Sequence, residues 1–319
     1  MKNNLRVAER SRSYSNGKLL LTGEYVVLDG AKALAIPTLF GQDLEVVSIE
    51  EPIIHWKSLD ENGKVWFDCI LDAKTLKLIN SSYYSLKEDI QENTAETLKS
   101  ILIEAQKLNP SFLNKKNGFS VVTELTFPTN WGLGSSSTLI NNIAKWANVD
   151  AYELLNKTFR GSGYDIACAK NNSPIIYQLV DHMPKVICVE FNPIFKNQLF
   201  FIHLNKKQDS RKGIERYQKN IGNINSEITE ISSITDEFIK TSNIAEFEKL
   251  IQQHEQIISN IIKLKPIQQT HFPDYFGQIK SLGAWGGDFI LATGNEDTPQ
   301  YFIDKGFKTV IDYQQMVLK

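Results

Sequence analysis

The sequence predicts a two-domain globular protein in which strands and helices are mixed. At 319 residues, the chain is about twice the usual length of one domain. Its hydrophobic fraction of 42% and charged fraction of 23% are ordinary for a globular protein. Runs rich in β-branched residues, such as Ser120–Phe127, alternate with stretches whose apolar residues recur at helical spacing, such as Glu215–Leu264.

The composition excludes several classes of protein. A net charge of −2 provides no overall positive field that would attract nucleic acid. The three cysteines are scattered and odd in number, which favours a reducing compartment. Residues 1–18 lack the apolar core of a secretory signal, and no apolar run approaches the ~18 residues of a membrane span. We therefore expect a cytoplasmic protein that binds neither nucleic acid nor membrane.

The N-terminal half reads mainly as strands. Ser15–Gly30 predicts a strand, a tight turn and a second apolar element. The Asn62–Gly63 pair predicts a hairpin between Ile53–Trp56 and Val65–Leu71. Thr94–Leu108 has the apolar periodicity of an amphipathic helix.

The C-terminal half combines strands with long helices. Three strand-like runs lie within Ile175–Leu204. Glu215–Leu264 reads as two helices that are separated at Asn243. Near the end, Tyr301–Lys308 predicts a helix and Thr309–Tyr313 predicts a strand.

The most informative stretch is Phe127–Leu139, which reads FPTNWGLGSSSTL between a predicted strand and a predicted helix. The first turn of a helix offers about four unpaired N–H groups and about half a positive charge. Gly132 and Gly134 would let a phosphate approach them closely. The alternative is a glycine turn followed by a serine N-cap, which is common.

Two further glycine clusters and a cationic segment extend this pattern. Asp165 follows the loop Gly161–Ser162–Gly163, either as a helix cap or as an acid aimed into a cleft. Gly283–Gly287, called here the third glycine cluster, encloses Trp285 and precedes an apolar strand. Lys206–Arg216 is the densest cationic segment, and it would either be a solvated face or bind an anionic substrate group.

Several common site motifs are absent from the sequence. There is no GxxxxGK[ST] of a P-loop and no GxGxxG after a strand. The nucleophile elbow GxSxG and the metal motifs HExxH and CxxC are also missing.

Three segments together resemble the GHMP kinases, the superfamily of galactokinase, homoserine kinase, mevalonate kinase and phosphomevalonate kinase. The first segment, Asn16–Val27, is similar to the family's P-G-K-x-x-L-x-G-E-h-x-V, and Pro128–Ser137 is similar to P-x-x-x-G-L-G-S-S-A. The third glycine cluster resembles the C-terminal G-A-G-x-G-G. The segments occur in the family's order over almost the whole chain.

Within the superfamily, the likeness is strongest to the mevalonate-pathway kinases. Two short segments match motifs of phosphomevalonate kinases: Gly23–Tyr25 resembles their G-E-Y, and Gly286–Asp288 resembles their G-G-D. A third segment, Gly161–Asp165, resembles their G-S-G-[FY]-D and also the S-G-x-D of mevalonate kinase. The chain departs from the pattern at Asn16 and Ser137, where the family has Pro and Ala, and at Trp285, which replaces a glycine and would narrow the site.

The resemblance implies a role for each matching position. Those that would bind the triphosphate of ATP are Gly132, Leu133, Gly134, Ser135, Ser136 and Ser137. Ser136 would also hold Mg²⁺, Asp165 would orient or deprotonate the acceptor group, and Lys18 would neutralise charge beside the transferred phosphoryl group. The implied substrate contacts are Glu24, Gly283, Ala284, Gly286 and Gly287. To these we add Lys206, Ser210 and Arg211 on the basis of their charge and position.

The resemblance also implies a fold and a reaction. The fold would be α+β, with an N-terminal domain like ribosomal protein S5 domain 2 over residues 1–190 and a ferredoxin-like C-terminal domain over 191–319. The reaction would transfer the γ-phosphoryl group of ATP to mevalonate or 5-phosphomevalonate, a small acidic alcohol or phosphate. Alternatives are a diphosphomevalonate decarboxylase-like enzyme, a sugar or homoserine kinase, and a family member that binds a metabolite without turnover. The oligomeric state is open, with a homodimer as one option.

Overall fold

The computed structural model describes residues 10–83, 88–114, 117–159, 161–208 and 210–318, without the side chains of residues 83, 88–92 and 210. The strands of this part are β1 (Arg10–Leu20), β2 (Ala33–Ile49), β3 (Ile53–Leu59), β4 (Val65–Asp72), β5 (Leu78–Tyr83), β6 (Gly118–Leu125), β7 (Ile175–Val180), β8 (Met183–Cys188), β9 (Leu199–His203), β10 (Ile279–Ser281), β11 (Phe289–Thr293) and β12 (Val310–Asp312). Its helices are α1 (Glu88–Leu108), α2 (Ser135–Ala147), α3 (Ala151–Thr158), α4 (Tyr164–Lys170), α5 (Ser210–Asn220), α6 (Asn225–Lys240), α7 (Ile244–Ile262), α8 (Ile267–His271), α9 (Thr298–Asp304) and α10 (Tyr313–Met316), with 3-10 turns at Val26–Asp29 and Lys196–Gln198.

The described chain forms two compact units that are each discontinuous in sequence. The first contains the described residues up to Asn16 together with Phe40–Thr129 and Gly134–Ala169. The second contains Gly17–Leu39, Asn130–Leu133 and the residues from Lys170 onward. The chain therefore passes between the units within the glycine loop that precedes α2. A domain boundary near residue 190 stays a prediction.

The first unit is a sheet covered by helices. Its strands are ordered β5-β4-β3-β6, and β6 pairs antiparallel with the Gln42–Ile49 part of β2. The β3–β6 pair is parallel, whereas β3–β4 and β4–β5 are antiparallel. Buried residues of these strands form one core with α1, α2 and α3, including Trp56, Leu102 and Ile143. This packing holds the N-terminal end of α2 in a fixed place on the sheet.

The second unit contains a four-stranded antiparallel sheet in the order β10-β11-β9-β12. Its core includes Phe272, Ile290 and Phe302. In the same unit, Ala33–Ala35 of β2 pair antiparallel with β7, which pairs with β8. The glycine cluster Gly283–Gly287 forms the connection between β10 and β11, so both of its ends are fixed by a buried strand.

Most of the predicted elements are present, but the prediction of two helices in Glu215–Leu264 is wrong, because this range holds the end of α5 together with α6 and α7. The hairpin around Asn62–Gly63 is confirmed, and Asn243 caps α7 by accepting the N–H groups of Ala245 and Glu246. The apolar run after Thr22–Glu24 forms a 3-10 turn, because Tyr25 and Gly30 both have positive φ and reverse the chain.

The helix predicted at Tyr301–Lys308 lies earlier, at Thr298–Asp304. Pro299 stands in its first turn, where a missing N–H costs nothing, and Gly306 follows its end with φ of 91°. Among the described residues, no helix is both long and apolar enough to cross a lipid bilayer.

Candidate functional site

In the first unit, the glycine loop ends at the start of helix α2. Gly134 is the N-cap residue with φ of 90°, and its carbonyl accepts the N–H groups of Ser137 and Thr138 at 3.0 Å each. The serines lie inside the first turn, so a serine N-cap, the common alternative, is wrong. Ser136 is exposed, whereas Ser137 is buried. A side chain at the cap position is absent because the residue is glycine, which leaves room for an anion at this helix end.

A carboxylate lies next to this helix end. Asp165 stands in the first turn of α4, is half-buried, and accepts a hydrogen bond of 3.1 Å at Oδ2 from the Ser137 hydroxyl. Asn141 on α2 donates to the carbonyl of Ala169 in α4 at 3.2 Å, so the two helices are tied at a second point. The structure thus brings together two of the predicted site residues, the serine and the aspartate.

A buried polar cluster holds α2 in register, and sequence reasoning missed it. The Ser15 hydroxyl donates to Asn142 Oδ1 at 2.7 Å and accepts from Asn141 Nδ2 at 2.9 Å. Asn142 also donates to the carbonyl of Gln42 at 2.9 Å. Buried amides need such partners, so these bonds define the rotation of α2 about its axis and hence the direction of its first turn. Two adjacent asparagines on an otherwise apolar helix face were the available signal.

In the second unit, a backbone hydrogen bond joins the segment that contains Lys18 to the glycine loop before α2. The N–H of Lys18 donates to the carbonyl of Leu133 at 3.0 Å. The Lys18 side chain is half-buried. Gly132 has φ of 67°, and a Cβ built on it would lie 2.3 Å from Cγ of Asp288. Only glycine fits here, for reasons of both conformation and space.

Asp288 connects this loop to the third glycine cluster. Its N–H donates to the Lys206 carbonyl at 2.7 Å, and its Oδ1 accepts the Gln208 N–H at 3.2 Å. Burial raises the pKa of Asp288, and the Gln208 N–H and the charge of Lys18 oppose that rise. In the sequence, Asp288 is only the last residue of the resemblance to G-G-D, so its place beside the glycine loop was missed.

The segment before the glycine loop is held by aromatic and imidazole contacts. Trp131 packs edge-on against Phe289 with ring centroids 5.4 Å apart. His203 Nε2 lies 3.1 Å from the Asn130 carbonyl, and burial lowers the pKa of this histidine. A neutral imidazole therefore donates its Nε2–H to that carbonyl. These contacts fix residues 130–133 over β9 and β11.

The remaining predicted substrate residues have different surroundings. Lys206, Arg211 and Gly286 are exposed, while Ala284 and Gly287 are buried and Gly283 is half-buried. A Cβ on Gly287 would lie 2.8 Å from the Lys206 carbonyl, so the cationic segment packs against the third glycine cluster. The side chain of Ser210 lies outside the described residues.

Trp285, which replaces a family glycine, is buried in the third glycine cluster. Its side chain is 3% exposed and its φ is 46°. Its indole Nε1 is buried without a hydrogen-bond partner among the described residues. The large ring is therefore enclosed by the protein and is not exposed at the surface of the third glycine cluster.

Glu24 occupies a different position from the one predicted. Its side chain is 1% exposed, with Oε1 at 2.6 Å from Lys280 Nζ and Oε2 at 3.2 Å from His254 Nε2. A carboxylate with so little exposure has no surface for a substrate. We therefore replace the predicted substrate contact of Glu24 with a structural role in a buried ion cluster.

The described residues contain no group of three or more His, Cys, Asp or Glu side chains that would hold a metal alone. A magnesium site seldom needs such a group, because Mg²⁺ is usually bound through one or two protein oxygens together with substrate phosphates and water. The exposed hydroxyl of Ser136 and the carboxylate of Asp165 are oxygen donors in the same unit. The residues present therefore fit Mg²⁺ as a partner of a bound nucleotide.

Comparison with known proteins gives matches in structure alone. No protein-family model matches the sequence, and no curated protein matches it either. The mevalonate kinase of Methanococcus jannaschii matches with a TM-score of 0.69, 18% identity, and coverage of 98% of this chain and 99% of that one. The chain has the GHMP kinase fold.

Two other GHMP kinase structures match over similar lengths. Phosphomevalonate kinase of Streptococcus pneumoniae, in complex with phosphomevalonate and AMPPNP, gives a TM-score of 0.65 at 14% identity, covering 95% of this chain and 99% of that chain. Galactokinase of Lactococcus lactis, complexed with galactose, gives a TM-score of 0.60 at 14% identity, covering 97% of this chain and 94% of that chain. The α+β GHMP kinase fold expected from the three motifs is confirmed, and identities this low show the fold alone.

Proposed function

We propose that this protein is an ATP- and Mg²⁺-dependent GHMP kinase that phosphorylates mevalonate or 5-phosphomevalonate in the synthesis of isoprenoid precursors. The observation that carries the proposal is the hydrogen bond between Ser137 and Asp165 at the glycine-capped N-terminus of α2. It combines an anion-binding helix end with a carboxylate that can act on an acceptor. The GHMP kinase fold supports the same function.

Phosphoryl transfer depends mainly on positioning and on neutralising charge. The N-terminus of α2 would bind the phosphates of ATP through N–H groups, and Lys18 would neutralise charge on the transferred group. Asp165 would orient the acceptor, and would remove its proton where the acceptor is a hydroxyl. Ser136 would hold Mg²⁺, which when bound neutralises charge on the phosphates.

The acceptor would be recognised through its own negative charge. Mevalonate and phosphomevalonate both carry a carboxylate, and the exposed cations Lys206 and Arg211 suit such a group. The backbone of Gly283–Gly287 would contact the substrate from the third glycine cluster. Formation of a homodimer and a cytoplasmic location stay predictions.

A coupled ADP-release assay with a panel of acceptors tests the proposal. The panel contains mevalonate, 5-phosphomevalonate, homoserine and galactose, and CO₂ release is measured in parallel. We expect ADP without CO₂, with one of the two mevalonate compounds preferred. Release of CO₂ would indicate a decarboxylase, and preference for homoserine or galactose would indicate another kinase. ATP binding without ADP formation from any acceptor would contradict the proposal.

Ser136→Ala is expected to raise the Mg²⁺ concentration for half-maximal activity by about tenfold, because one oxygen donor to the metal is lost. Ser136 is exposed, so the folded structure should tolerate the change. The control is Ser136→Thr, which keeps the hydroxyl and should stay close to wild type. An unchanged Mg²⁺ titration in the alanine variant would remove Ser136 from the metal site.

A further inference from the structure

Four titratable side chains meet inside the second unit, shielded from solvent. Lys280 and His254 are 0% exposed, Glu24 is 1% exposed, and Glu255 is 3% exposed. They come from three segments, namely the turn after β1, helix α7 and strand β10. Buried charges are costly unless they are paired and hydrogen-bonded. The contacts within this cluster therefore decide which of its members are ionised.

Lys280 faces both carboxylates of the cluster. Its Nζ donates to Glu24 Oε1 at 2.6 Å and to the Ser281 carbonyl at 3.1 Å. The same Nζ lies 3.6 Å from Glu255 Oε1. Glu255 Oε2 accepts a hydrogen bond of 2.8 Å from the Ser281 hydroxyl. One ammonium group thus serves two carboxyl groups.

His254 is neutral and cannot supply a second positive charge. The N–H of Gly23 donates to its Nε2 at 3.0 Å, which makes this nitrogen an acceptor and assigns the ring proton to Nδ1, an atom that is buried without a hydrogen-bond partner among the described residues. Burial, together with the charge of Lys280, lowers the pKa of His254 well below 6.5. Glu24 Oε2 also lies 3.2 Å from Nε2, so two acceptor atoms face each other if Glu24 is ionised.

With both carboxylates ionised, the cluster would bury one uncompensated negative charge. Glu24 Oε2 and Glu255 Oε1 are also buried without a hydrogen-bond partner among the described residues. A proton on either carboxyl group would remove the excess charge, and a proton on Glu24 Oε2 would face the acceptor Nε2 of His254 at 3.2 Å. The charged groups that act on Glu255 are Lys280 on β10 and Glu24 on the turn after β1, and the neutral His254 precedes it on α7.

We propose that Glu24 and Glu255 share one proton in the folded protein, and that this protonated cluster positions the third glycine cluster, which follows β10 directly in the chain. Burial raises the pKa of Glu255 to about 7, and Lys280 opposes the rise while Glu24 adds to it. Burial also raises the pKa of Glu24. Losing the proton leaves a buried negative charge beside Lys280 and loosens the strand that leads into Gly283–Gly287. The expected effect on substrate binding rests on the proposed function, whereas the protonation of the cluster does not.

The proton is tested by urea unfolding between about pH 5 and 8 in wild type and in Glu255→Gln, whose neutral amide imitates the protonated acid. A carboxyl group with its pKa raised from 4.5 to about 7 stabilises the fold at low pH, and this contribution is lost as the pH rises from 4.5 to about 7, above which the stability no longer changes. The wild-type unfolding constant should therefore rise by up to about tenfold per pH unit relative to the variant. Glu230→Gln, at an exposed glutamate of α6, is the matched control and should keep the wild-type slope.

Positioning is tested by amide hydrogen exchange of the segment from Leu282 to Asp288. After correction for intrinsic exchange, wild type should lose about tenfold in protection between pH 6 and 8, because the fraction of molecules without the proton rises from about a tenth to about nine tenths. Glu255→Gln should keep its protection. In the kinase assay, the acceptor KM of wild type should rise over the same interval while kcat changes little.

Several outcomes would overturn the inference. Equal pH slopes of unfolding in wild type and Glu255→Gln would show that the cluster holds no extra proton. Unchanged protection of Leu282–Asp288 would refute the positioning role even if the slopes differ. An enzyme without kinase activity would refute the proposed function but would leave the unfolding and exchange results decisive for the cluster.

Discussion

Replacing Asp165 with Asn is expected to leave ATP binding nearly unchanged and to lower turnover by about 10²–10⁴-fold, the usual contribution of a positioned base. This loss corresponds to about 3–5 kcal/mol of activation free energy. Asn keeps the shape of the side chain and an oxygen that can accept the Ser137 hydroxyl, which Asp165 accepts at 3.1 Å. The geometry is therefore retained while the negative charge and the ability to take a proton are lost.

The experiment compares kcat at saturating ATP and acceptor with the Kd for ATP. Asp181→Asn is the control, because Asp181 is exposed and has φ of 50°, a conformation that Asn readily adopts. Asp165 also lies in the first turn of α4, so its charge contributes about 0.3–1 kcal/mol to helix stability. The free energy of unfolding should therefore fall by no more than about 1 kcal/mol in Asp165→Asn. Wild-type turnover in Asp165→Asn would remove the aspartate from the catalytic role.

Gly132→Ala is expected to destabilise the protein by about 2–5 kcal/mol. An alanine at a φ of 67° costs about 1–2 kcal/mol. Its Cβ would also lie 2.3 Å from Cγ of Asp288, and overpacking of this kind costs about 1–3 kcal/mol. Where the variant folds, the loop must move away from Asp288, and the affinity for ATP should fall as well.

Gly63→Ala is the matched control for this change. Gly63 has nearly the same conformation, with φ of 71°, but a Cβ on it meets nothing within 4 Å. The difference in unfolding free energy between the two alanine variants therefore isolates the contact with Asp288. Adding Asp288→Ala to Gly132→Ala should recover part of the loss. Equal destabilisation at both glycines would contradict the close approach of Asp288.

The sequence was most informative where the structure depends on neighbouring residues. Gly134 adopts the left-handed conformation at the start of α2, and the serines follow in the first turn, as the pattern FPTNWGLGSSSTL indicates. Asp165 likewise stands in the first turn of α4. Such features depend on backbone conformation and helix termini, which a few consecutive residues decide.

The sequence was least informative about partners that are distant along the chain. Glu24 pairs with Lys280, which is 256 residues away, and Asp288 lies against Gly132. Lys280 gave a weak signal, as a lysine inside a short strand whose three residues are all buried. A single sequence does not show which buried acid stands opposite it, because that depends on how β10 and the turn after β1 pack.

The three glycine motifs, the helix that begins after Gly134 and the acid at the start of α4 can all be identified from consecutive residues. The surroundings of each acid depend instead on how the chain packs. Asp165 is half-buried and bonded to a serine, whereas Glu24 is enclosed with Lys280 and His254. The physical reason is that desolvation and pairing depend on groups from distant segments, and these two effects determine whether a carboxylate meets a substrate or stabilises the interior.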